Sequence, residues 1–459
     1  MKAISVIWNS MNEHVNEALN DIKEYAIIKD IISVDFKEDF PNFIRKVYPY
    51  TGKDTWKVNY KIENMEKYDN KNITIIFLDI DNEKKIFVER KGIYIYENVE
   101  KLKSFIRTKY KNIIDGYAFD NVFHMTDDEE EYKATKDLVI DFILKFYDKN
   151  NEIINLDNII YDKSKYEYLD KTYENGKRNK FFMCDNGLMF KEQTENSFEC
   201  FAEKYCYELF KKLDIKVAEY YLAKYNNKMG VLTKNFLKEN EIFIDGTHII
   251  NAYLNYIETG FFNINVPIRY DMPTITRYNN IEDLKIILNT MSKITGIDMS
   301  LILSNLKKIF AVDMILLQSD RNSNNWGIIY NHKNKSLDFA PVYDNSNICL
   351  FNDTKLIDNL YNLAKTDKTM FMELMYNYST TVLTEKNSDN YFTPKNKLIE
   401  QIQDNEIKNY LKYYIDLIQK EEIGINIPNS KFEYILTNAI NNNVEFISNT
   451  LDNEKKLVK

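Results

Sequence analysis

The chain has 459 residues, 44% of them hydrophobic and 14% aromatic, with only 11 Gly and 7 Pro. That is enough apolar material for two or three packed domains, and it excludes a linker-rich or disordered chain. A net charge of −9 excludes the general electrostatic footprint of a nucleic-acid-binding protein. The N-terminal segment Met1-Lys-Ala-Ile-Ser-Val-Ile-Trp8 turns polar at Asn9 and no apolar run reaches membrane-spanning length, so a soluble, cytoplasmic chain with no signal peptide and no membrane partner is expected. The four cysteines, Cys184, Cys200, Cys206 and Cys349, form no Cys-x-x-Cys pair and lack a nearby His, which predicts reduced, buried thiols and no zinc site.

In chain order, residues 4–8 read as a short strand, 13–25 as a helix, 27–34 as a strand, 72–79 as a strong strand and 99–110 as a helix. The alternation predicts a ferredoxin-type α+β domain over residues 1–150, closed by the polar, Asn-rich stretch 148–158. Within it, Ile106-Arg107 precedes Asn121-Val-Phe-His124-Met-Thr126-Asp127. This stretch resembles the active-site segment of nucleoside diphosphate kinases, which reads Ile-Arg and then Asn-x-x-His-x-Ser-Asp. The resemblance implies His124 as a phosphate-accepting nucleophile, with Arg107 and Asn121 against the nucleotide. The sequence departs from that pattern in three places. Trp8-Asn9-Ser10 stands for the family's Lys-Pro-Asp, Met125 stands for its Gly, and the span between Phe87 and Glu100 has no Arg-rich phosphate loop. A histidine nucleophile needs several cations around the phosphate. Here one Arg is followed by the acidic run from Asp127 to Glu131, so the expectation is a degenerate nucleotide-binding or regulatory module. His14, His248 and His332 stand singly in polar surroundings, as surface residues do.

The next block has a different pattern. Gly176 lies in the polar, basic turn Glu174-Asn-Gly-Lys-Arg178, and residues 188–190 read as a buried strand ending at Lys191. Phe198, Phe201, Ala202, Tyr205 and Leu209 then recur at helical spacing, with Glu199 and Glu203 to one side of the stripe. Residues 216–223 and 228–236 read as two strands around the Asn226-Asn227 turn. The order is strand, hairpin, Lys-bearing strand, helix and two strands.

From residue 281 the chain becomes helical: Leu284, Ile287, Leu288, Met291 and Ile294 share one face, and residues 301–317 form a further helix. That helix runs into Gln318-Ser-Asp320-Arg321-Asn322-Ser-Asn-Asn325-Trp326. Residues 326–330 read as a strand that turns at 331–335 and leads to Phe339-Ala-Pro-Val-Tyr-Asp344-Asn-Ser-Asn347. Residues 356–364, 370–378, 396–402, 406–420 and 431–451 read as helices, with a charged, frayed tail over 452–459. A carboxylate in a polar loop, an Asn five residues on and a second Asp after a strand form a layout suited to phosphoryl transfer. One carboxylate orients the attacking hydroxyl, while the Asn and second carboxylate hold magnesium. A bland Asn/Asp-rich turn competes with that reading in so Asn-rich a chain. The spacing and the flanking apolar segments favour the phosphoryl-transfer reading.

The two loops resemble those of HipA-like kinases, distant relatives of the phosphatidylinositol kinases, whose pattern is Asp-Arg-His-x-x-Asn and then Asp about twenty residues later. The resemblance extends to residues 155–459 and implies an α+β, two-lobed protein-kinase-like domain: a β-rich small lobe over 151–240 and a helical large lobe over 241–459. It implies Asp320 as catalytic carboxylate, Asn325 and Asp344 as Mg²⁺ ligands, and Lys191 on the ATP phosphates. It also implies Glu203 as partner of that Lys, with Glu199 as second choice. Gly176 would lie in the phosphate-covering hairpin, and Lys234 and Phe236 on the strand into the adenine-binding hinge. The family's His is Asn322 here, and its glycine loop carries a Ser that this chain lacks. The implied function is ATP- and Mg²⁺-dependent phosphorylation of a Ser/Thr hydroxyl on a protein substrate, with an antitoxin protein as partner if the chain is a toxin. The sequence leaves open a lipid or small-molecule kinase, a pseudokinase that binds nucleotide or a partner, and a scaffold driven by the N-terminal domain.

Overall fold

The computed structural model describes residues 1–48, 55–81, 84–89, 93–117, 121–150, 152–158, 167–168, 180–183, 187–378, 394–420 and 427–457. The predicted turn around Gly176 and Cys184 lie outside them. The chain divides into two compact units. One comprises residues 1–175, 179–190 and 223–228, the other 176–178, 191–222 and 229–459. Among the described residues no helix is long and apolar enough to cross a membrane.

The first unit begins with β1 (Lys2–Ile7), α1 (Val15–Lys23), β2 (Ala26–Asp35), α2 (Phe40–Val47), α3 (Thr55–Met65) and β3 (Asn72–Ile80). It continues with β4 (Lys85–Val88), β5 (Ile93–Tyr96), α4 (Glu97–Tyr110), β6 (Phe123–Met125) and α5 (Glu129–Lys149). Strands β2, β3, β1 and β6 form a sheet in that order, each neighbouring pair antiparallel. Burial alternates along β2 but is nearly continuous along β1 and β3, which requires cover on both faces of the central strands. Ala3, Ile7, Ile76 and Leu78 pack with Ala18 and Ile22 of α1 and Val99, Leu102 and Ile106 of α4. Elsewhere in the unit α5 packs on β1, and the rings of Phe36, Phe43, Phe142 and Phe146 stack α2 against α5. The α-helix expected from residue 13 starts at Val15, because residues 9–14 wind as a 3-10 helix.

Next come β7 (Ile154–Asn155), β8 (Glu167–Tyr168), β9 (Lys180–Met183), β10 (Leu188–Glu192), α6 (Glu199–Lys212), β11 (Tyr220–Tyr225) and β12 (Lys228–Lys234). Within the first unit β7 pairs in parallel with β11, Ile154 opposite Ala223, and β8 pairs antiparallel with β9. The second unit also holds β13 (Glu241–Asp245), α7 (Gly246–Thr259), α8 (Met272–Arg277), α9 (Ile281–Thr295), α10 (Ser300–Ile315), β14 (Gly327–Asn331) and β15 (Ser336–Phe339). It ends with α11 (Ile357–Thr366), α12 (Lys368–Tyr378), α13 (Lys395–Gln401), α14 (Asn405–Lys420) and α15 (Ser430–Leu457). α9 stops where Gly296 adopts φ +73°, a left-handed cap that glycine takes without steric cost. α10 is apolar on nearly every side, with Leu306, Ile309, Phe310, Ala311, Val312, Met314 and Ile315 buried, and it packs on α9, α14 and α15. It is therefore the central helix of this unit. α15 runs through residues 452–457, where a frayed tail was expected; no Gly or Pro interrupts it.

Two features of this core set the site. The small antiparallel sheet β13-β14-β15 carries Trp326 at its edge, and Gly246 at the start of α7 faces that ring. A Cβ on Gly246 would lie 2.3 Å from the Trp326 ring. The core also holds charge: Asp313 of α10, Arg321 and Lys395 of α13 are all buried. Among the described residues Lys395 Nζ has no hydrogen-bond partner. Burial pulls its pKa down to about 7, with Asp313 opposing and Arg321 adding to the shift.

Gly246→Ala should destabilise the protein by about 1–3 kcal/mol, the usual effect of overpacking a filled core, read as a lower denaturant midpoint. For Lys395 the sign follows from linkage. The unfolded chain keeps the ordinary value of 10.5, so between about pH 7 and 10 the unfolded state binds the extra proton. Stability then rises with pH across that window, by at most about 1.4 kcal/mol per pH unit, and is flat in this respect below it. Lys395→Met should abolish the rise in urea titrations from pH 6.5 to 9.5. Equal slopes in both proteins would mean that the buried ammonium stays charged.

Candidate active site

Three side chains distant in sequence meet in the second unit. Lys191, the residue before the end of β10, is buried, and its Nζ donates to Glu203 Oε1 of α6 at 2.8 Å and to Asp344 Oδ1 at 2.5 Å. Glu203 is 1% exposed. Its other oxygen accepts the backbone N–H of Asn345 at 2.8 Å. Burial pushes the Glu203 carboxyl up, while the Lys191 ammonium pulls it back. Glu199, one helical turn earlier, is used differently: its Oε2 accepts Thr194 N–H at 2.7 Å and Ser197 Oγ–H at 3.1 Å and so shapes the turn that starts α6. Four residues rotate the side chain by little more than one turn. The partner of Lys191 is thus decided by position along the helix axis.

The loop after α10 forms because Leu317 adopts φ +54°, a left-handed conformation that costs an L-residue about 1–2 kcal/mol. It ends the helix and throws Gln318 to Asn325 outward. Asp320, half-buried, accepts Asn322 Nδ2–H on Oδ1 at 2.7 Å and Asn347 Nδ2–H on Oδ2 at 2.8 Å. Asn325 Nδ2 donates to the Asp320 carbonyl at 2.6 Å, which turns its own Oδ1 the other way. Asp344 also has a left-handed backbone, φ +53°. Its N–H reaches Tyr220 Oη at 3.2 Å, and its Oδ1 accepts Ser346 Oγ–H at 3.2 Å. Asn322, where the HipA-like pattern has His, therefore supports Asp320 from within the same loop.

Arg321 joins the two loops. Its guanidinium is fully buried and donates to Asp313 Oδ2 and Oδ1 at 3.0 and 3.1 Å, to the carbonyls of Asn325 and Tyr343 at 3.0 and 2.8 Å, and to Asn345 Oδ1 at 2.7 Å. Burial works against its charge, but the Asp313 carboxylate outweighs it and raises the Arg321 pKa. A second brace comes from α7: Thr247 N–H donates to Ser323 O at 3.1 Å, and Thr247 Oγ1 lies 2.7 Å from Ser323 Oγ. Asn279 donates to Arg321 O at 3.1 Å and accepts Trp326 Nε1–H at 2.9 Å.

Of the other sequence candidates, Lys234 ends β12 half-buried. Phe236 packs on Phe243 and on Tyr343, the residue before Asp344, at centroid distances of 5.9 and 6.4 Å. Gly176 lies outside the described residues. Among the described residues no cluster of three His, Cys, Asp or Glu side chains could hold a metal by itself. The amide of Asn325 and the carboxylate of Asp344 offer two hard oxygen donors. That fits magnesium, which takes one or two protein carboxylates and fills its shell with water and phosphate oxygens. Sequence reasoning passed over Asp313, Arg321, Asn345 and Asn347. The signal for the first was a lone Asp in the apolar stretch Phe310-Ala-Val-Asp313-Met-Ile315, since a buried carboxylate needs a partner.

The nucleoside-diphosphate-kinase-like residues are engaged in holding the first unit together. Arg107 Nε and Nη2 donate to the Phe123 carbonyl at 3.1 and 3.0 Å. Asn121 O accepts Ser10 Oγ–H at 2.6 Å, and Thr126 Oγ1 accepts Ile4 N–H at 3.1 Å. His124 is 9% exposed and packs its ring 4.8 Å from that of Tyr48. Asp127 pairs with Lys103, and Asp128 caps α5 by accepting Glu131 N–H at 2.8 Å. Cys200, Cys206 and Cys349 are free and buried, and burial raises all three thiol pKa values.

No family model matches the chain, and neither does any curated protein sequence. Among solved structures it is similar to the Helicobacter pylori proinflammatory kinase CtkA, at 17% identity and a TM-score of 0.46, over 67% of this chain and 100% of that one. It is also similar to the Shewanella oneidensis toxin–antitoxin protein HipA, solved with HipB and its operator DNA, at 10% identity and a TM-score of 0.35, over 64% of this chain and 68% of that one.

Proposed function

We propose that the second unit is an ATP- and Mg²⁺-dependent kinase of the HipA-like class that phosphorylates a Ser or Thr hydroxyl on a protein. The observation that carries this reading is the convergence of Lys191, Glu203 and Asp344, 153 residues apart between Lys191 and Asp344, beside a loop that presents Asp320 and Asn325. In this reading β10 to β12 with α6 belong to a small lobe and α7 to α15 to a helical large lobe. Lys191, held by Glu203, contacts nucleotide phosphates. Asp320 accepts the hydroxyl proton and aims the oxygen at the γ-phosphorus. Asn325 and Asp344 would hold the magnesium, which neutralises phosphate charge. Phe236 lies on the strand that leads to the adenine site, with Lys234 two residues before it.

We read the first unit as a ferredoxin-like accessory domain, on the strand order β2-β3-β1-β6, with its motif residues committed to folding. An antitoxin partner and a cytoplasmic site of action belong to the same proposal.

Asp320→Asn should abolish transfer of labelled γ-phosphate to protein in a cell extract while ATP affinity, measured by calorimetry, stays within about twofold, because the lost group acts on the hydroxyl and not on the nucleotide. Undiminished turnover would sink the assignment. If wild type binds ATP and transfers nothing, the unit is a nucleotide-binding module. Lys191→Ala and Glu203→Ala should each raise KM for ATP and lower kcat, and the double variant should be little worse than either, since the pair works as one unit. Additive losses would mean that Lys191 acts without Glu203.

A further inference from the structure

Asn347 lies three residues after Asp344, 8% exposed, and its side-chain amide crosses to the neighbouring loop. Its Nδ2 donates to Asp320 Oδ2 at 2.8 Å, while its own Oδ1 is buried and accepts no hydrogen bond from the described residues. A buried amide oxygen left without a donor is unfavourable. Exchanging the amide's nitrogen and oxygen would set Oδ1 against the Asp320 carboxylate, which is worse. The amide therefore gives up its acceptor to keep its donor on Asp320. Asn322 differs. It lies on Asp320's own loop, and its Oδ1 accepts Asn324 N–H at 2.8 Å, so it is satisfied locally.

We propose that Asn347 is a positioning residue for phosphoryl transfer, fixing the orientation of the Asp320 carboxylate and linking it to the Asp344 loop. The inference rests on the kinase reading for its consequence and on the Asn347–Asp320 contact for its geometry. With Oδ1 held by Asn322 and Oδ2 by Asn347, the carboxylate plane is fixed. The loops themselves do not need this side chain to stay docked. Ser319 N–H and Oγ–H bind the Asn347 backbone carbonyl at 3.3 and 3.2 Å, and Arg321 binds Tyr343 O and Asn345 Oδ1. A variant at Asn347 therefore changes the aim of the carboxylate and leaves the scaffold in place.

Two variants separate aiming from packing. Asn347→Ala should lower kcat about 10–100-fold, the scale of a misaligned catalytic group, with KM for ATP and the unfolding midpoint near wild type. Asn347→Asp keeps the shape and replaces the donor by a second carboxylate, so its kcat should be at or below that of the Ala variant. A merely space-filling side chain would leave the Asp variant active, and that result would overturn the proposal, as would an Ala variant with wild-type kcat. Crystal structures of wild type and Asn347→Ala give a readout independent of turnover. The Asp320 carboxylate should rotate in the variant, and an unchanged carboxylate would refute the positioning role. Rotation of Asp320 alongside a wild type that transfers no phosphate would leave the geometry standing and overturn the kinase reading alone.

Discussion

The site of the second unit depends on one buried interaction, the Arg321–Asp313 pair. Asp313 is fixed by α10, the apolar central helix, and Arg321 carries that fixed point outward into the Asp320 loop and the Asp344 loop. A guanidinium suits this task because its donors lie in one rigid plane and can serve several acceptors at once. Its five contacts leave little of its hydrogen-bonding capacity unused, which makes complete burial tolerable. Removing one member of such a pair leaves an uncompensated charge in the core, an effect of about 3–5 kcal/mol. The same residue that stabilises the unit thus sets the separation between the Asp320 loop and the Asp344 loop.

Lys191 shows a related economy. Its ammonium lies between two carboxylates, one buried on α6 and one half-buried on a left-handed turn. The buried carboxylate has an uphill pKa from desolvation and stays useful only because the cation is beside it. The half-buried Asp344 faces more solvent than Glu203. Strand, helix and loop therefore share one charge balance.

The first unit puts comparable residue types to another use. Arg107, Asn121, Thr126 and Asp127 resemble a phosphotransfer motif in order and spacing, yet each makes a bond to backbone or to a neighbouring side chain of the same unit. His124 packs against Tyr48, which itself stacks on Trp8 and accepts Lys61 Nζ–H at 2.8 Å. Motif order alone does not distinguish a side chain aimed at solvent from one aimed at a carbonyl. Here the aim is inward.

The sequence by itself determined most of the elements, because long apolar runs and helical stripes encode burial locally: β3, α4, α9 and α10 appear close to where their patterns fall. The resemblance to HipA-like kinases named Lys191, Glu203, Asp320, Asn325 and Asp344 as candidates, and the structure brings Lys191, Glu203 and Asp344 into contact. The sequence did not reveal the strand β13, whose apolar run spans only three residues between Glu241 and Asp245, nor the 3-10 start before α1. The pairing of Lys191 with Glu203 over Glu199 was decided by axial position on α6. The roles of Arg321 and Asn347 were decided by contacts that join residues 8 to 27 positions apart across a turn forced by Leu317. Hydrogen bonds between loops depend on where the chain returns in space, and only the packed core around α10 fixes that return.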